Sequence, residues 1–211
     1  MQYSTEEPVL AFFNAVGLIA FAFSGAVTGI SENLDLFGIA LLGIVTALGG
    51  GALRDILVLT VPAMLKDFSY VGFAFLGIGL AILARHSSRR FLHRWYFLVS
   101  DTIGLASFTV SGCLVASLHH LGIIGHVLLG LSTAIGGGLL RDMLVGRVSL
   151  ILRREVYASC SIAGAIIFWA LARNTGTQTL ASLVAMLVTF GMRITAIKYD
   201  WQLPKFSRAK E

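Results

Sequence analysis

The chain of 211 residues is 56% hydrophobic and only 13% charged, with a mean hydropathy of +0.84. This composition excludes an ordinary soluble domain and indicates an integral membrane protein. The formal net charge of +5 therefore reflects membrane loops of unequal charge rather than nucleic-acid binding. Cys113 and Cys160 both lie in apolar runs, which argues against a disulfide framework or a paired cysteine metal site.

Seven apolar runs are candidates to cross a bilayer, which takes roughly 20 residues per helix. The first run follows a segment with glutamates and no Lys or Arg, the wrong flank for a secretory signal, so we expect it to be retained as a span. The sequence thus predicts an all-α integral membrane protein with seven transmembrane helices. In chain order the runs are residues 9–30, 36–59, 68–84, 95–118, 121–145, 156–172 and 180–197.

The positions of Lys and Arg predict the orientation, because cytoplasmic loops carry the positive excess. With the amino terminus outside, twelve Lys and Arg residues, Arg193 among them, fall on the inner side and only two on the outer side. We therefore expect the amino terminus outside and the carboxyl terminus in the cytoplasm. Four of the inner arginines are candidates to contact anionic lipids, each contact being worth about 1 kcal/mol. They are Arg89, Arg90, Arg153 and Arg154.

An internal repeat appears when the chain is shifted against itself by 87 residues. Spans one to three then match spans four to six, and Tyr70 meets Tyr157. Because three spans is an odd number, the second copy must enter the membrane from the opposite side, which gives inverted-topology repeats. The predicted organisation is an outer segment 1–8, a first repeat 9–86, an inverted second repeat 95–173, a seventh helix 177–198 and a basic cytoplasmic tail 199–211.

The second span of each repeat carries three consecutive glycines, residues 49–51 and 136–138. A glycine in a helix costs about 1 kcal/mol relative to alanine, so the triplet predicts a break or kink in both helices. The carbonyl groups freed by a break, together with the hydroxyls of Thr46 and Thr133, would suit a cation. The alternative is that the glycines only permit close helix packing.

An Arg-Asp pair follows each triplet, Arg54-Asp55 and Arg141-Asp142. A charge in the middle of a bilayer is unfavourable by about 2.5–3.5 kcal/mol, so these residues need partners. Adjacent residues on a helix point about 100° apart, which favours pairing across the repeats, Arg54 with Asp142 and Arg141 with Asp55. The alternative for the arginines is an interfacial anchor whose side chain reaches the headgroups.

Other polar residues in the spans give weaker signals. Asn14 and Asp101 are equivalent in the repeat, as are Ser24 and Ser111. Asp101, Ser24 and Ser111 are candidates to face a pathway, and the alternatives are local backbone bonding and close packing. No His, Cys or carboxylate cluster has metal-site spacing, and no nucleophile with a base or phosphate loop appears, so an enzyme is not expected.

The duplicated GGG-x-L-R-D string, placed in the second span of each three-helix repeat and followed by a seventh helix, resembles the prokaryotic branch of the trimeric intracellular cation (TRIC) channel family. The resemblance covers about residues 9 to 200. It implies a homotrimer in a prokaryotic cell membrane, with a pore in every protomer that is lined by kinked second and fifth helices. It also implies potassium or sodium as the permeating ion and no cofactor.

Carried over by residue, the resemblance places the kinks and the charged positions beside them in the ion pathway. The kinks fall on Gly49, Gly50, Gly51, Gly136, Gly137 and Gly138, and the charged positions are Arg54, Asp55, Arg141 and Asp142.

The same family is also described as small amino-acid transporters, with glycine as a suggested substrate. A carrier would hold a carboxylate at a half-helix amino terminus, whereas a channel would pass a cation along carbonyl groups. Broken helices would present both kinds of group, so the sequence leaves a carrier open beside the channel.

Overall fold

A computed structural model describes residues 3–84, 90–149 and 156–201. The described part contains seven α-helices and one short 3-10 turn, Ala63–Leu65. The predicted all-helical membrane fold is confirmed. The helices are α1 Tyr3–Ser31, α2 Leu36–Leu57, α3 Ser69–Ala84, α4 Arg90–Leu118, α5 Ile123–Leu144, α6 Val156–Thr175 and α7 Gln178–Lys198.

Six of these helices are long and apolar enough to cross a membrane. The exception is α3, which has 16 residues and therefore a length of about 24 Å, somewhat less than the hydrocarbon thickness. Among the arginines expected near lipid, Arg89, Arg153 and Arg154 lie outside the described residues. The backbone of Arg90 begins α4, but its side chain is likewise outside the described part.

The turns of the two repeats correspond in conformation as well as in sequence. Asn33 after α1 has φ 57° and its equivalent after α4, His120, has φ 52°. Leu59 after α2 has φ 55°, and the equivalent turn after α5 uses Gly146 at φ 67°. Because the left-handed region costs a side-chain-bearing residue roughly 1–2 kcal/mol, its recurrence at matching places shows that the duplicated chain turns in the same way twice.

Helices α1 and α4 form the centre of the molecule and are equivalent in the repeat. Phe21 of α1 and Phe108 of α4 meet edge to face with ring centroids 5.2 Å apart. Each ring lies over a glycine of the other helix, Phe108 against Gly17 and Phe21 against Gly104. This reciprocal contact brings the two backbones close together, as small residues do in membrane proteins.

The remaining helices surround this central pair. Helices α2 and α3 pack on α1, α5 and α6 pack on α4, and α2 contacts α5 directly. The seventh helix lies against α6 and α4 and so touches only the second repeat closely. Arg193, which the charge count placed on the inner side of the membrane, is a buried residue within α7.

Candidate functional site

The first two glycines of each triplet, Gly49 and Gly50 of α2 and Gly136 and Gly137 of α5, form the contact between the two helices. A Cβ atom added at Gly50 would overlap the carbonyl oxygen of Thr133, and one added at Gly137 would overlap the carbonyl oxygen of Thr46. Backbone therefore packs on backbone here. The contacts also show that α2 and α5 run antiparallel. Gly50 meets Thr133, which precedes the triplet of α5, and Gly137 meets Thr46, which precedes the triplet of α2.

A break in either helix is absent, whereas a kink within a continuous helix stays a prediction. Both α2 and α5 continue as α-helix through their triplets, 49–51 and 136–138. Broken hydrogen bonds would leave polar backbone groups unsatisfied in a bilayer, which costs more than the helical preference that glycine lacks. The alternative of close packing therefore describes the glycines better.

The threonines before the triplets do not point free hydroxyl groups into an opening. Thr46 and Thr133 are fully buried, and each hydroxyl donates a hydrogen bond to the carbonyl four residues earlier in its own helix. It is their backbone carbonyls that face the glycines of the opposite helix.

Arg54 is at the centre of what we name the first cluster, Asn14, Arg54, Asp55, Tyr70 and Ser111. Its side chain is almost fully buried. Nε donates to Asp55 Oδ1 at 2.8 Å, and Nη1 donates to Ser111 Oγ at 2.6 Å and to Asn14 Oδ1 at 3.3 Å. Ser111 in turn donates to Asn14 Oδ1 at 2.6 Å, and Asn14 donates to the hydroxyl of Tyr70 at 3.0 Å.

Arg141 is at the centre of the second cluster, Ser24, Asp101, Arg141, Asp142 and Tyr157. Nε donates to Asp142 Oδ1 at 2.9 Å, and Nη1 donates to Asp101 Oδ1 at 2.7 Å and to Ser24 Oγ at 3.0 Å. The Tyr157 side chain lies beside Asp101. Every member of this cluster is the repeat equivalent of a member of the first.

The predicted pairing across the repeats is wrong. Each arginine binds the aspartate next to it, Arg54 with Asp55 and Arg141 with Asp142. The antiparallel contact places the two charged ends on opposite sides of the glycines, roughly 13 Å apart along the helix axes at about 1.5 Å per residue. Adjacent pairing is possible because Nε lies part-way along the arginine side chain and faces sideways, which leaves the two terminal amino groups for other partners.

In each cluster the arginine makes one hydrogen bond to a serine of the other repeat. Arg54 of the first repeat binds Ser111 of the second, and Arg141 of the second binds Ser24 of the first. We name these two bonds the latches. They join α2 to α4 and α5 to α1, so the helices that meet at the glycines are each tied to the central helix of the other repeat. The arginines are therefore buried connectors and not interfacial anchors.

Of the candidates singled out by sequence, the structure gathers Asp101, Ser24 and Ser111 around the arginines. Sequence reasoning assigned no role to Tyr70 and Tyr157, although both stood in the repeat register. The two tyrosines complete the clusters, and the register was the signal that they belong together.

The space beside the first cluster is small. A void of about 10 Å³ lies between Arg54, Asp55, Met64 and Tyr70, which is about the least that holds one water molecule. A wider cavity of about 560 Å³ opens at the turns that join α4 to α5 and α6 to α7, away from the glycine contact. Within residues 3–84, 90–149 and 156–201, no group of three His, Cys, Asp or Glu side chains is placed to hold a metal ion.

Two inverted three-helix repeats, a seventh helix and buried charged clusters on either side of a glycine contact define a multi-pass membrane protein of a type common among channels and transporters. The family model described as "Glycine transporter" matches residues 11–86 and again 98–173, and the two matches begin 87 residues apart. The chain belongs to this family.

Bacterial relatives match over nearly the whole chain. The UPF0126 membrane protein YvgT of Bacillus subtilis is 34% identical, covering 92% of this chain and 95% of that protein. The UPF0126 inner membrane protein YadS of Escherichia coli K12 is 36% identical, covering 93% and 95%. This chain is accordingly a multi-pass membrane protein of prokaryotic type.

Solved structures with the same fold are prokaryotic TRIC channels. A crystal structure of a prokaryotic TRIC channel superposes with a TM-score of 0.85 and 30% identity, covering 93% of this chain and 100% of that one. The TRIC orthologue from Rhodobacter sphaeroides gives a TM-score of 0.82 at 30% identity, covering 92% and 99%. The resemblance to this family noted from the sequence is confirmed, and these structural relatives are channels, not enzymes.

Proposed function

We propose that this protein is a channel for monovalent cations, with potassium as the physiological ion. The observation that carries the proposal is the similarity to TRIC channels over nearly the full chain, at a TM-score of 0.85. It is supported by the duplicated GGG-x-L-R-D segments, which meet each other across the pseudo-symmetric contact between α2 and α5. The pathway would run between these two helices in each protomer, from one cluster to the other.

In this proposal the described conformation is closed. The void beside Arg54 has room for about one water, whereas a permeating ion needs a continuous row of oxygens or waters. Opening requires that α2 and α5 separate at the glycines. The latches Arg54–Ser111 and Arg141–Ser24 oppose that separation, so breaking them is the gating step.

The carboxylates of the clusters would supply the preference for cations. Asp55, Asp101 and Asp142 are buried and bound to arginines while the latches are closed. When an arginine side chain turns away, its carboxylates remain at the pathway with their negative charge uncompensated. Rings or clusters of carboxylates of this kind favour cations in channels.

The second candidate is a carrier of a small amino acid such as glycine, which the description of the matching family favours. Two clusters on opposite sides of one contact are also what alternating access needs, since each could open in turn. The void of about 10 Å³ cannot hold a glycine molecule in the described conformation. A carrier would therefore have to open further before binding its substrate.

The deciding experiment is recording from planar bilayers that contain the purified protein in asymmetric potassium chloride, with and without glycine. We expect discrete current steps that reverse near the potassium equilibrium potential and do not depend on glycine. Gly50→Leu, which places a side chain in the α2–α5 contact, serves as the inactive control. Silent bilayers together with saturable uptake of radiolabelled glycine into liposomes would instead establish the carrier.

The assembly we propose is a homotrimer with one pathway per protomer, embedded in the prokaryotic cell membrane with anionic lipids near Arg89, Arg90, Arg153 and Arg154. The name of the orthologue from Rhodobacter sphaeroides describes a trimeric channel, which supports this assembly. The mass of the protein in detergent, corrected for bound detergent, should be three times that of one chain of 22.6 kDa. A monomer that conducts in bilayers would contradict the trimer and leave the channel intact.

A further inference from the structure

The two clusters match residue by residue except at one position, where their charge differs. Asn14 in the first cluster is replaced by Asp101 in the second. The first cluster therefore holds one arginine and one aspartate, Arg54 and Asp55, which balance. The second holds one arginine and two aspartates, so its own members leave one negative charge in excess in a place that water does not reach.

A buried excess charge is unfavourable unless another charge compensates it. Arg193 of α7 is a second buried cation close to this cluster. It is 2% exposed, and its guanidinium carbon lies 4.6 Å from the ring centroid of Tyr157. Tyr157 in turn lies beside Asp101, the residue that carries the extra negative charge. The order of groups is thus Arg193, Tyr157, Asp101 and Arg141, with the tyrosine between the extra cation and the extra anion.

Two features separate Arg193 from an ordinary packing residue. Its side chain is buried although its Nε has no hydrogen-bond partner among the described residues. It also comes from the seventh helix, which has no counterpart in the repeat. The first cluster has a neutral residue at position 14, and the seventh helix packs mainly on α6 and α4 of the second repeat. The extra anion and the extra cation therefore both belong to the second repeat and its seventh helix.

We propose that Arg193 is the counter-charge of Asp101 and a positioning residue for the second latch. With Arg193 present, the second cluster is neutral, and Asp101 is free to orient the Arg141 side chain toward Ser24. Arg193 touches no permeating ion in this arrangement and acts through Tyr157 and Asp101. The seventh helix, which lies outside the repeat, thereby supplies a compensating charge to the second cluster and not to the first.

The test is a double-mutant cycle on the full-length protein in detergent, with the midpoint of thermal unfolding as the readout. Arg193→Gln and Asp101→Asn should each lower the midpoint by roughly 10 °C, since each leaves one buried charge uncompensated. The double variant is neutral again and should recover to within about 4 °C of the wild type. Arg193→Lys, which keeps the charge, should stay close to the wild type.

A matched control comes from the same helix. Lys198 lies five residues further along the helix, with its ammonium nitrogen 5.5 Å from the ring centroid of Tyr199. Lys198→Gln combined with Asp101→Asn should give the sum of the two single shifts. If Arg193→Gln and Asp101→Asn are also additive, or if Arg193→Lys is as damaging as Arg193→Gln, the proposed counter-charge is overturned.

The part of this inference that concerns gating rests on the proposed channel, and a second readout separates the two. In bilayers, Arg193→Gln should raise the open probability about tenfold, and the double variant should return it toward the wild-type value. If the wild type carries no current but the unfolding midpoints are coupled, the channel proposal fails and the counter-charge stands. If the wild type conducts and Arg193→Gln leaves the open probability unchanged, the role in the latch fails.

Discussion

Two buried arginines determine how the repeats are joined. Arg54 and Arg141 each use Nε for the neighbouring aspartate and Nη1 for residues on the central helices. The planar guanidinium permits this division because its donors point in fixed and different directions. Charge neutralisation within one helix and attachment to the other repeat are therefore separate contacts of the same side chain, and mutations can address them one at a time.

Neutralisation is tested at Asp55. Asp55→Asn removes the anion beside Arg54 and should destabilise the protein by about 3–5 kcal/mol, because an uncompensated cation stays buried. Combining it with Arg54→Gln should restore most of the stability, measured as the unfolding midpoint in detergent. The control is Arg54→Gln combined with Asp142→Asn, which should show no recovery. Recovery in that control would favour pairing across the repeats over the adjacent pairing.

The latches are tested at the serines. Ser111→Ala removes the acceptor of the Arg54 latch, and Ser24→Ala removes that of the Arg141 latch. Each loses a charge-assisted hydrogen bond of roughly 1.5–3 kcal/mol, so we expect a higher open probability in bilayer recordings. Ser107→Ala is the matched control, because Ser107 is fully buried on α4 and its hydroxyl has no partner among the described residues. Equal open probabilities for Ser107→Ala and Ser111→Ala would show that the latches do not gate.

The helices show what sequence can and cannot predict at the level of an element. The repeat predicted the seven helices and their order, because apolar length and internal similarity are properties of the chain alone. Propensity predicted a break or kink at the glycine triplets, and the break was wrong because a bilayer penalises unsatisfied backbone groups more than glycine penalises a helix. The partner of a glycine, here the carbonyl of Thr133 or Thr46, belongs to another helix and cannot be read from its own.

The glycines within one triplet are not equivalent, which gives a prediction with an internal control. A Cβ at Gly50 or Gly137 collides with a backbone carbonyl, whereas a Cβ at Gly51 has its nearest neighbour at 3.9 Å and one at Gly138 at 3.7 Å. Gly50→Ala and Gly137→Ala should therefore destabilise the protein by about 1–3 kcal/mol and reduce potassium flux. Gly51→Ala and Gly138→Ala should leave both nearly unchanged, in unfolding and liposome flux assays.

A uniform response of all four variants would contradict this prediction. Equal losses would mean that the triplets act through flexibility, as a break requires, and not through the contact. Equal tolerance would mean that α2 and α5 can move apart at little cost.

For the whole molecule, the inverted repeats explain why the candidate site was only partly predictable. The residues of the site were visible as matched pairs along the chain, but symmetry does not specify which member of a pair touches which. Arg54 binds Ser111 rather than Ser24 because the arginine of α2 reaches the central helix of the other repeat, α4, and the arginine of α5 likewise reaches α1. Arg193 had no matched pair, so only the packing of α7 against α4 and α6 reveals its place beside Tyr157.

The orientation predicted from the Lys and Arg distribution concerns the molecule as a whole and can be measured directly. Both native cysteines, Cys113 and Cys160, are fully buried, so the wild type should react little with a membrane-impermeant maleimide. His119→Cys, in the exposed turn after α4, should react in intact cells. Tyr199→Cys, in the exposed segment after α7, should react only after the cells are opened.

The physical reason for this pattern is the odd number of helices. Seven spans would place the two termini on opposite sides, and we expect the basic segments near the carboxyl end to remain in the cytoplasm because moving positive charge outward is unfavourable. Arg193 does not belong to that count, since it is buried beside the second cluster, yet the prediction still assigns eleven basic residues to the inner side and two to the outer. Labelling of Tyr199→Cys in intact cells, with His119→Cys protected, would reverse the orientation and place the second cluster at the outer side of the membrane.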